Sequence, residues 1–206
     1  MMYSELFSYL KRKSNYTKVG LDVDYDIEVD DVNKKINVFF EESASKQDWK
    51  TNFNFPVRPY KHQKSCLWVH RGFKKAWKSA NDIIMRDVID VRSRTGYDVV
   101  FIGWSYGGAM CQFAVEDFCY RTNIRADVIT FGAPNVFFGK KSSEYARNCC
   151  KSVIQFANRN DVVTIMPPFY SQIRKMKVGE KFNLFKLFKP NIYHMNYDEV
   201  LKADDL

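Results

Sequence analysis

The 206-residue sequence lacks the features that would assign it to several classes of protein. It has no apolar run near the roughly 18 residues that indicate a membrane-spanning helix. The first sixteen residues do not match a secretory signal peptide, because basic residues follow the short apolar run instead of preceding it. We therefore expect neither a transmembrane segment nor export, and we predict a cytoplasmic protein.

Cysteine and histidine are too scattered to suggest a metal centre. The five cysteines include no Cys-x-x-Cys pair, and the three histidines stand far apart in the sequence. Cys149 and Cys150 are adjacent and cannot easily bridge each other. Without an export signal, reduced thiols are the expectation. The sequence thus predicts no metal and no cofactor.

The net charge of +8 is distributed unevenly along the chain. Residues 21–31 hold six acidic side chains, whereas residues 171–190 hold six basic ones against Glu180, a local charge of +5. This polarity, with no accompanying nucleic-acid motif, argues against a nucleic-acid partner. Residues 181–189 (KFNLFKLFK) alternate lysine and phenylalanine, which fits either an ordinary strand or a peripheral contact with an anionic membrane surface.

The composition predicts a packed globular protein. Hydrophobic residues make up 46% of the chain and aromatic residues 16%, which excludes global disorder. The length suits one full-sized core, and the sequence shows no repeat, low-complexity tract or linker. We therefore predict one domain that spans residues 1–206.

Hydrophobic periodicity predicts an α/β fold. The N-terminal part contains a short helix over 4–13, then two extended runs around the polar DDVNK turn, which read as a hairpin. A strand over 66–70 precedes a helix that runs from Phe73 to Gly96. From residue 97 onward strands alternate with helices, which predicts a mainly parallel sheet flanked by helices.

Ser105 is the candidate nucleophile. It stands in Gly103-Trp104-Ser105-Tyr106-Gly107, a G-x-S-x-G pattern that follows a buried strand and opens a helix. The pattern alone arises by chance too often to be decisive, but this context is what a nucleophile elbow requires. The glycines clear space for a sharp turn with strained backbone, and the helix N-terminus directs N–H groups at developing negative charge. A structural strand-to-helix turn is the alternative.

Chain order selects the partners of this serine. In such hydrolases the acid and then the histidine follow the nucleophile, and His194 is the only histidine after Ser105. Asp161 follows a predicted strand, at the edge where parallel-sheet active sites gather. Asp127 precedes its strand, and Asp198 comes after His194. We therefore predict Ser105, His194 and Asp161 as nucleophile, base and orienting acid.

Five segments resemble the class 3 lipases, the family of the fungal triacylglycerol lipases with plant and microbial phospholipase and esterase relatives. In chain order they are VHRGFKKAW, VFIGWSYGGAM, ITFGAPNV, NRNDVVTIMPP and YHMNYDEV, and they cover roughly residues 25–200. The resemblance implies an α/β-hydrolase fold and the same Ser105, Asp161 and His194.

The resemblance also implies an oxyanion hole formed by Tyr106, through its backbone N–H, and Ser43. Here Glu41 and Glu42 replace the Arg-Gly that precedes the donor serine in the family. A carboxylate that faced the oxyanion would oppose it, so these glutamates either point to solvent or the hole differs. The segment ASKQDWKTNFNFPV, which follows Ser43, corresponds to the family's lid and fits either a small lid or a packed connection.

Taken together, these observations predict a serine hydrolase that cleaves carboxylic esters of lipids, of the triacylglycerol lipase or phospholipase type, through a Ser-His-Asp triad and an acyl-enzyme intermediate. Two alternatives remain open at this point. One is a soluble esterase that acts on short-chain or non-lipid esters. The other is a catalytically weakened lipid-binding or interaction protein that keeps the fold, for which the two glutamates are the main support.

Overall fold

A computed structural model describes residues 2–21, 23–41, 56–62, 65–183 and 190–204 of the chain. For residues 61–62, 65–66 and 190–191 only the backbone is described. Ser43, Glu42, most of the predicted lid segment and residues 184–189 lie outside these ranges.

A seven-stranded sheet forms the centre of the molecule. The strand order is β1-β2-β3-β6-β7-β9-β11, in which β3, β6, β7, β9 and β11 run parallel and β1 and β2 are antiparallel additions. The predicted mainly parallel sheet is therefore confirmed. The strands are β1 (Thr17–Val19), β2 (Val23–Asp30), β3 (Lys35–Phe40), β6 (Asp98–Trp104), β7 (Ala126–Phe131), β9 (Cys150–Asn158) and β11 (Met176–Val178).

The predicted N-terminal hairpin is formed by β2 and β3. The DDVNK segment makes the turn, where the Asp30 carboxylate accepts the backbone N–H groups of Val32 at 3.1 Å and Asn33 at 2.9 Å. Lys34 takes a positive φ of 55° at the end of this turn. The side chain of Asp30 thus replaces part of the backbone hydrogen bonding that a two-residue turn would supply.

Helices cover both faces of the sheet. One face carries α2 (Arg71–Thr95), α3 (Tyr106–Thr122) and α4 (Lys140–Asn148), and the opposite face carries α1 (Tyr3–Arg12) and α6 (Tyr197–Ala203). A short helix α5 (Pro190–Met195) precedes α6, and a 3₁₀ helix spans Val162–Ile165. The first thirteen residues of α3 are all buried, in agreement with its apolar sequence. No helix in the described ranges is long and apolar enough to cross a bilayer.

A second, four-stranded antiparallel sheet packs beside α2. Its order is β10-β8-β5-β4, with β4 (Val57–His62), β5 (Ser65–His70), β8 (Phe137–Phe138) and β10 (Tyr170–Ser171). Only β5 was expected from the sequence. Two of its strands have two residues each, which is too short for any alternation of apolar and polar residues to be recognised.

The carboxyl ends of three central strands meet at one edge of the large sheet. Trp104 on β6 pairs with Phe131 on β7, which in turn pairs with Phe156 on β9. The residues that follow these strands therefore lie next to one another, and this edge is where open parallel sheets bind their ligands.

Candidate active site

Ser105 forms the turn between β6 and α3. Its φ of 53° and ψ of −121° are unusual for a residue with a side chain, and such strain persists only where the surroundings enforce it. A backbone hydrogen bond fixes the turn to the neighbouring strand β7, because the Ser105 N–H donates to the Phe131 carbonyl at 2.9 Å. The side chain is fully buried, and its Oγ makes no hydrogen bond to any described residue.

The glycines around Ser105 allow the chain to turn and α3 to approach β3. A Cβ atom at Gly107 would overlap the carbonyl oxygen of Phe40 and lie 2.8 Å from that of Glu41. At Gly108 it would lie 2.7 Å from the Cβ of Ala133. The Gly-Gly pair that follows Tyr106 is therefore required by close backbone packing on two sides of the elbow.

Asp161 and His194 are joined by a hydrogen bond in the interior. His194 Nδ1 lies 2.8 Å from Asp161 Oδ2, and the aspartate side chain is fully buried. Because a carboxylate accepts hydrogen bonds, Nδ1 is the donor in this contact, which leaves Nε2 as the ring nitrogen available to act as a base. Asp161 also caps the 3₁₀ helix through Oδ1, which accepts the Val163 N–H at 2.9 Å.

Tyr197 is a third partner of this pair. Its hydroxyl donates to Asp161 Oδ2 at 2.8 Å and accepts the Asn158 N–H at 2.9 Å. Burial, and then the charge of Asp161, raise the pKa of Tyr197 well above its ordinary value, so the hydroxyl stays a donor. Asp161 is therefore held by three donors, one from His194, one from Tyr197 and one from the backbone.

Trp104 and Gly132 determine the position of His194, the first by a hydrogen bond and the second by leaving space for its ring. Trp104 Nε1 donates to the His194 carbonyl at 3.2 Å, and the two rings are 5.6 Å apart. At Gly132, which has a φ of 57°, a Cβ atom would lie 2.9 Å from both Asp161 Oδ2 and His194 Nδ1. The Ser105 N–H donates to the carbonyl of Phe131, which is the residue before Gly132. The backbone of Ser105 and the side chains of Asp161 and His194 therefore all lie near Gly132.

The structure thus brings Asp161 and His194 into direct contact beside Ser105, without a hydrogen bond from the Ser105 hydroxyl. Contacts of this kind are often long without substrate and tighten when substrate binds. Tyr106 begins α3, so its N–H belongs to the first turn, whose N–H groups point out of the helix N-terminus. Its ring packs edge-on against Phe73 in the core, 6.0 Å away.

The Glu41 backbone contacts the elbow, as its approach to Gly107 shows, and its N–H donates to the Asp24 carbonyl at 3.0 Å. Ser43 and Glu42, the other residues of the predicted oxyanion loop, lie outside the described residues. In the described part of the chain, no three His, Cys, Asp or Glu side chains gather as metal ligands would.

Comparison with known proteins agrees with this geometry. Residues 37–171, well over half of the chain, match the sequence profile of the lipase (class 3) family. The chain is a class 3 lipase family member. The expected α/β-hydrolase fold is likewise confirmed by solved structures.

Two solved structures illustrate the similarity. The triacylglyceride lipase of Rhizomucor miehei superposes with a TM-score of 0.68 at 21% identity, covering 81% of this chain and 67% of the lipase. The mono- and diacylglycerol lipase of Aspergillus oryzae gives 0.66 at 26% identity, covering 83% and 63%. This class 3 lipase chain therefore spans about two-thirds of the length of the lipases that it matches.

The other histidines and acids considered from the sequence have different partners. His70 is the N-cap of α2, where its Nδ1 accepts the N–H groups of Gly72 and Phe73 at 3.1 and 3.3 Å. Asp127 accepts from Lys35 at 3.0 Å near the start of β7, and Asp198 pairs with Lys11 at 3.6 Å. None of these three side chains contacts Asp161 or His194 in the described contacts.

Sequence reasoning missed three residues of this class 3 lipase site: Trp104, Gly132 and Tyr197. Trp104 lies outside the predicted triad, yet its Nε1 donates to the backbone carbonyl of His194. Gly132 and Tyr197 stand inside the quoted ITFGAPNV and YHMNYDEV segments, so those segments were the available signal. Residues 181–183 have no regular structure, and the remainder of the predicted Lys/Phe-rich strand lies outside the described residues.

Proposed function

We propose that this class 3 lipase chain hydrolyses carboxylic esters of lipids, with Ser105 as nucleophile. The observation that carries the proposal is the buried hydrogen bond between His194 Nδ1 and Asp161 Oδ2 beside a serine in strained backbone. A histidine held in this tautomer presents Nε2 as a base, which a serine needs because it is a weak nucleophile at its free pKa.

The reaction proceeds in two halves. Ser105 Oγ attacks the acyl carbonyl carbon while His194 Nε2 takes the hydroxyl proton, and the carbonyl oxygen becomes an oxyanion. The tetrahedral intermediate then expels the alkoxide, which leaves as an alcohol after receiving the proton from His194. Water, deprotonated by the same nitrogen, attacks the acyl-enzyme and releases the fatty acid. Asp161 orients the imidazole ring and stabilises the imidazolium that forms.

The oxyanion hole in this proposal consists of the Tyr106 N–H and Ser43. Support for Tyr106 comes from its position as the first residue of α3, because helix N-termini favour negative charge. Support for Ser43 comes from the family resemblance and from the contact of the neighbouring Glu41 backbone with Gly107. The assignment of Ser43 stays a prediction.

A fluorophosphonate probe tests the nucleophile directly. We expect labelling of the wild-type chain at Ser105 and none of Ser105→Ala, with loss of ester hydrolysis in the same variant. Ser4→Ala is the matched control, because Ser4 is also fully buried and its hydroxyl also lacks a described hydrogen-bond partner. Full hydrolysis by Ser105→Ala would exclude the mechanism, and absence of labelling in wild type would favour a weakened binding protein.

A series of p-nitrophenyl esters separates a lipase from an esterase that prefers short chains. For a lipid substrate we expect kcat/KM to rise with acyl length and activity to increase at an interface. The mono- and diacylglycerol lipase from Aspergillus oryzae is named for acyl glycerols, which makes these the first substrates to try. A maximum at acetate or butyrate would instead favour the soluble esterase.

Two further predictions belong to this proposal. Peripheral contact with an anionic membrane through residues 181–189 is supported by their alternating lysine and phenylalanine and by the exposure of Phe182. A cytoplasmic location is supported by the four described cysteines, which are all free. Vesicle co-sedimentation tests the membrane contact, and localisation of a tagged chain tests the cytoplasmic location.

A further inference from the structure

Lys175 is a half-buried lysine that stands just before β11 and lines a surface pocket of about 570 Å³. Arg159, Lys177 and Lys181 line the same pocket, and no Asp or Glu is among its described lining residues. The Lys175 ammonium group is therefore surrounded by other cations and has no carboxylate partner within the pocket.

This position is unfavourable for a charged lysine. Burial, followed by the charge of Lys177, lowers the pKa of Lys175 to about 8, while the charge of Asp161 acts in the opposite direction. Keeping the ammonium group charged at neutral pH thus costs free energy, which a methionine of similar length would avoid. Stability does not explain why a lysine stands here, whereas its contacts do.

The Lys175 ammonium group donates a hydrogen bond to the 3₁₀ helix that Asp161 caps. Its Nζ bonds to the carbonyl oxygen of Thr164, which lies within Val162–Ile165. Gln172 Nε2 is a second donor to the same carbonyl, at 3.4 Å. Hydrogen bonds from charged donors are stronger than those from neutral ones, so the contact with Lys175 is the stronger of the two.

Thr164 in turn holds the backbone of Asp161. Its hydroxyl and its N–H both donate to the Asp161 carbonyl, at 2.9 and 3.3 Å. The Asp161 side chain closes the same turn, because Oδ1 accepts the Val163 N–H at 2.9 Å while Oδ2 lies 2.8 Å from His194 Nδ1. A shift of Thr164 would therefore move the carboxylate relative to the imidazole ring. Successive hydrogen bonds, from Lys175 to Thr164 and from Thr164 to Asp161, thus connect the lysine with the acid of the predicted triad.

We propose that Lys175 is a positioning residue for ester hydrolysis, which holds the Asp161 carboxylate against His194 through its hydrogen bond to Thr164. Lys175 contacts neither Ser105 nor His194 in the described contacts, so it acts on the orientation of the base. A misplacement of about 1 Å can slow turnover about 100-fold, because the reacting groups must be aligned. The inference rests on the proposed hydrolysis for its kinetic consequence, but its effect on the contact between Asp161 and His194 does not depend on hydrolysis.

Replacement of Lys175 by methionine separates this role from a structural one. In Lys175→Met we expect kcat for p-nitrophenyl butyrate to fall about tenfold and KM to change less than about twofold, because the base is misaligned and substrate binding is not involved. The free energy of unfolding should rise at pH 7, since the cost of the half-buried charge is removed. A lysine that only supported the fold would lower stability and kcat together.

Lys177→Met is the matched control, because Lys177 is an exposed lysine that lines the same pocket. The variant removes one positive charge from the pocket and leaves the bond from Lys175 to Thr164, so kcat should stay within about twofold of wild type. Equal losses of kcat in the two variants would assign the effect to the charge of the pocket and overturn the inference. Unchanged kcat in Lys175→Met, or failure of that variant to fold, would overturn it as well.

Thr164→Val tests the second hydrogen bond. The variant removes the hydroxyl that donates to the Asp161 carbonyl, and we expect kcat to fall about three- to fivefold. The double variant Lys175→Met/Thr164→Val should stay within about twofold of Lys175→Met, because the two residues act in series. Unchanged kcat in Thr164→Val, or multiplication of the two separate losses in the double variant, contradicts the route through Thr164.

The contact between Asp161 and His194 can also be observed without turnover, by NMR of the His194 Nδ1 proton. We expect a downfield resonance in wild type that is absent in His194→Ala. In Lys175→Met it should shift upfield and exchange with water about fivefold faster, whereas Lys177→Met leaves it unchanged. Absence of the resonance in wild type, or an unchanged resonance in Lys175→Met, overturns the inference. If wild type hydrolyses no ester but the resonance changes in Lys175→Met, only the proposed function falls.

Discussion

At the scale of single residues, the site depends on the neighbours of Ser105, Asp161 and His194 as much as on these three side chains. Gly132 occupies a position where a methyl group would contact both the Asp161 carboxylate and the His194 ring. Trp104 donates to the His194 carbonyl, and Tyr197 donates to Asp161 Oδ2, the oxygen that also bonds to His194. The geometry of the base is therefore set by residues that do not themselves react.

Gly132→Ala should lower kcat for a short-chain ester about 100-fold, because the added Cβ displaces Asp161 and His194 from each other. The positive φ adds a destabilisation of about 1–2 kcal/mol. Gly96→Ala is the matched control: its φ of 74° imposes the same strain, but no atom lies within 4 Å of the added Cβ. Equal kcat values for the two variants would show that the Gly132 contacts do not matter for turnover.

Tyr197→Phe should lower kcat about three- to tenfold and reduce the free energy of unfolding by about 1–2 kcal/mol. The physical reason is the loss of a donor to Asp161 together with a buried Asn158 N–H left without its acceptor. Tyr25→Phe removes a comparable hydroxyl-to-carboxylate bond, to Asp87, far from the site. Steady-state kinetics and denaturant titration of both variants check this, and a loss of kcat in Tyr25→Phe would refute a local cause.

At the scale of elements, helix ends and helix faces position the edge where the site lies. The VHRGF segment is explained by capping, because His70 accepts two N–H groups at the start of α2. On the opposite face of the sheet, Phe7 of α1 packs against Trp104, Phe131 and Tyr197 with ring centroids 5.1–5.5 Å apart. The N-terminal helix thus supports the residues that hold His194.

His70→Ala should destabilise the fold by about 1–3 kcal/mol, because two N–H groups at the buried start of α2 lose their acceptor. His70→Asn should recover part of this loss, since asparagine is a favourable N-cap. Thermal unfolding of the three proteins measures the effect. Since His70 does not contact the triad in the described contacts, kcat of the folded fraction should stay within about twofold of wild type. A large loss of kcat with unchanged stability would assign His70 a role other than capping.

At the scale of the whole molecule, stability should depend on pH through Lys175. Its pKa is lowered to about 8 in the fold and returns to its ordinary, higher value on unfolding. Between these two values the unfolded chain binds more protons, so this group's contribution makes the free energy of unfolding rise with pH above about 8. Buried thiols such as Cys150, whose pKa is raised to about 12, act in the opposite direction above pH 9.

The comparison of wild type with Lys175→Met isolates that contribution. We expect the variant to be more stable at pH 7 by about 2 kcal/mol, after discounting for partial exposure, and the difference to shrink as pH rises from 8 to 10. Denaturant titrations at several pH values measure it. Lys18→Met, at an exposed lysine on β1, should show no such trend. A difference that stays constant with pH would show that Lys175 is not strained by its surroundings.

Much of the fold and of the candidate site could be predicted from the sequence, because both depend on the order of residues along the chain. The spacing of apolar residues predicted the strands and helices. The order of Ser105, Asp161 and His194 in the chain, and the place of Asp161 after a strand, predicted the triad. The short strands of the second sheet carry no periodic pattern and form only by pairing, β8 with β5 and β10 with β8. Tyr197 likewise has no sequence feature that distinguishes it from other aromatic residues, because its contact with Asp161 depends on the fold.

The sequence by itself determined the fold class, the elbow at Ser105 and the identity of its expected partners, since periodicity, glycine placement and chain order are local properties. The tertiary structure decided which groups hold those partners, because hydrogen bonds such as Tyr197 to Asp161 and Trp104 to His194 join residues 36 and 90 positions apart. It also decided that Arg159, which follows β9, lines one surface pocket with Lys175 and Lys177 at β11. Pairing of distant strand ends creates that proximity, and no short pattern encodes it.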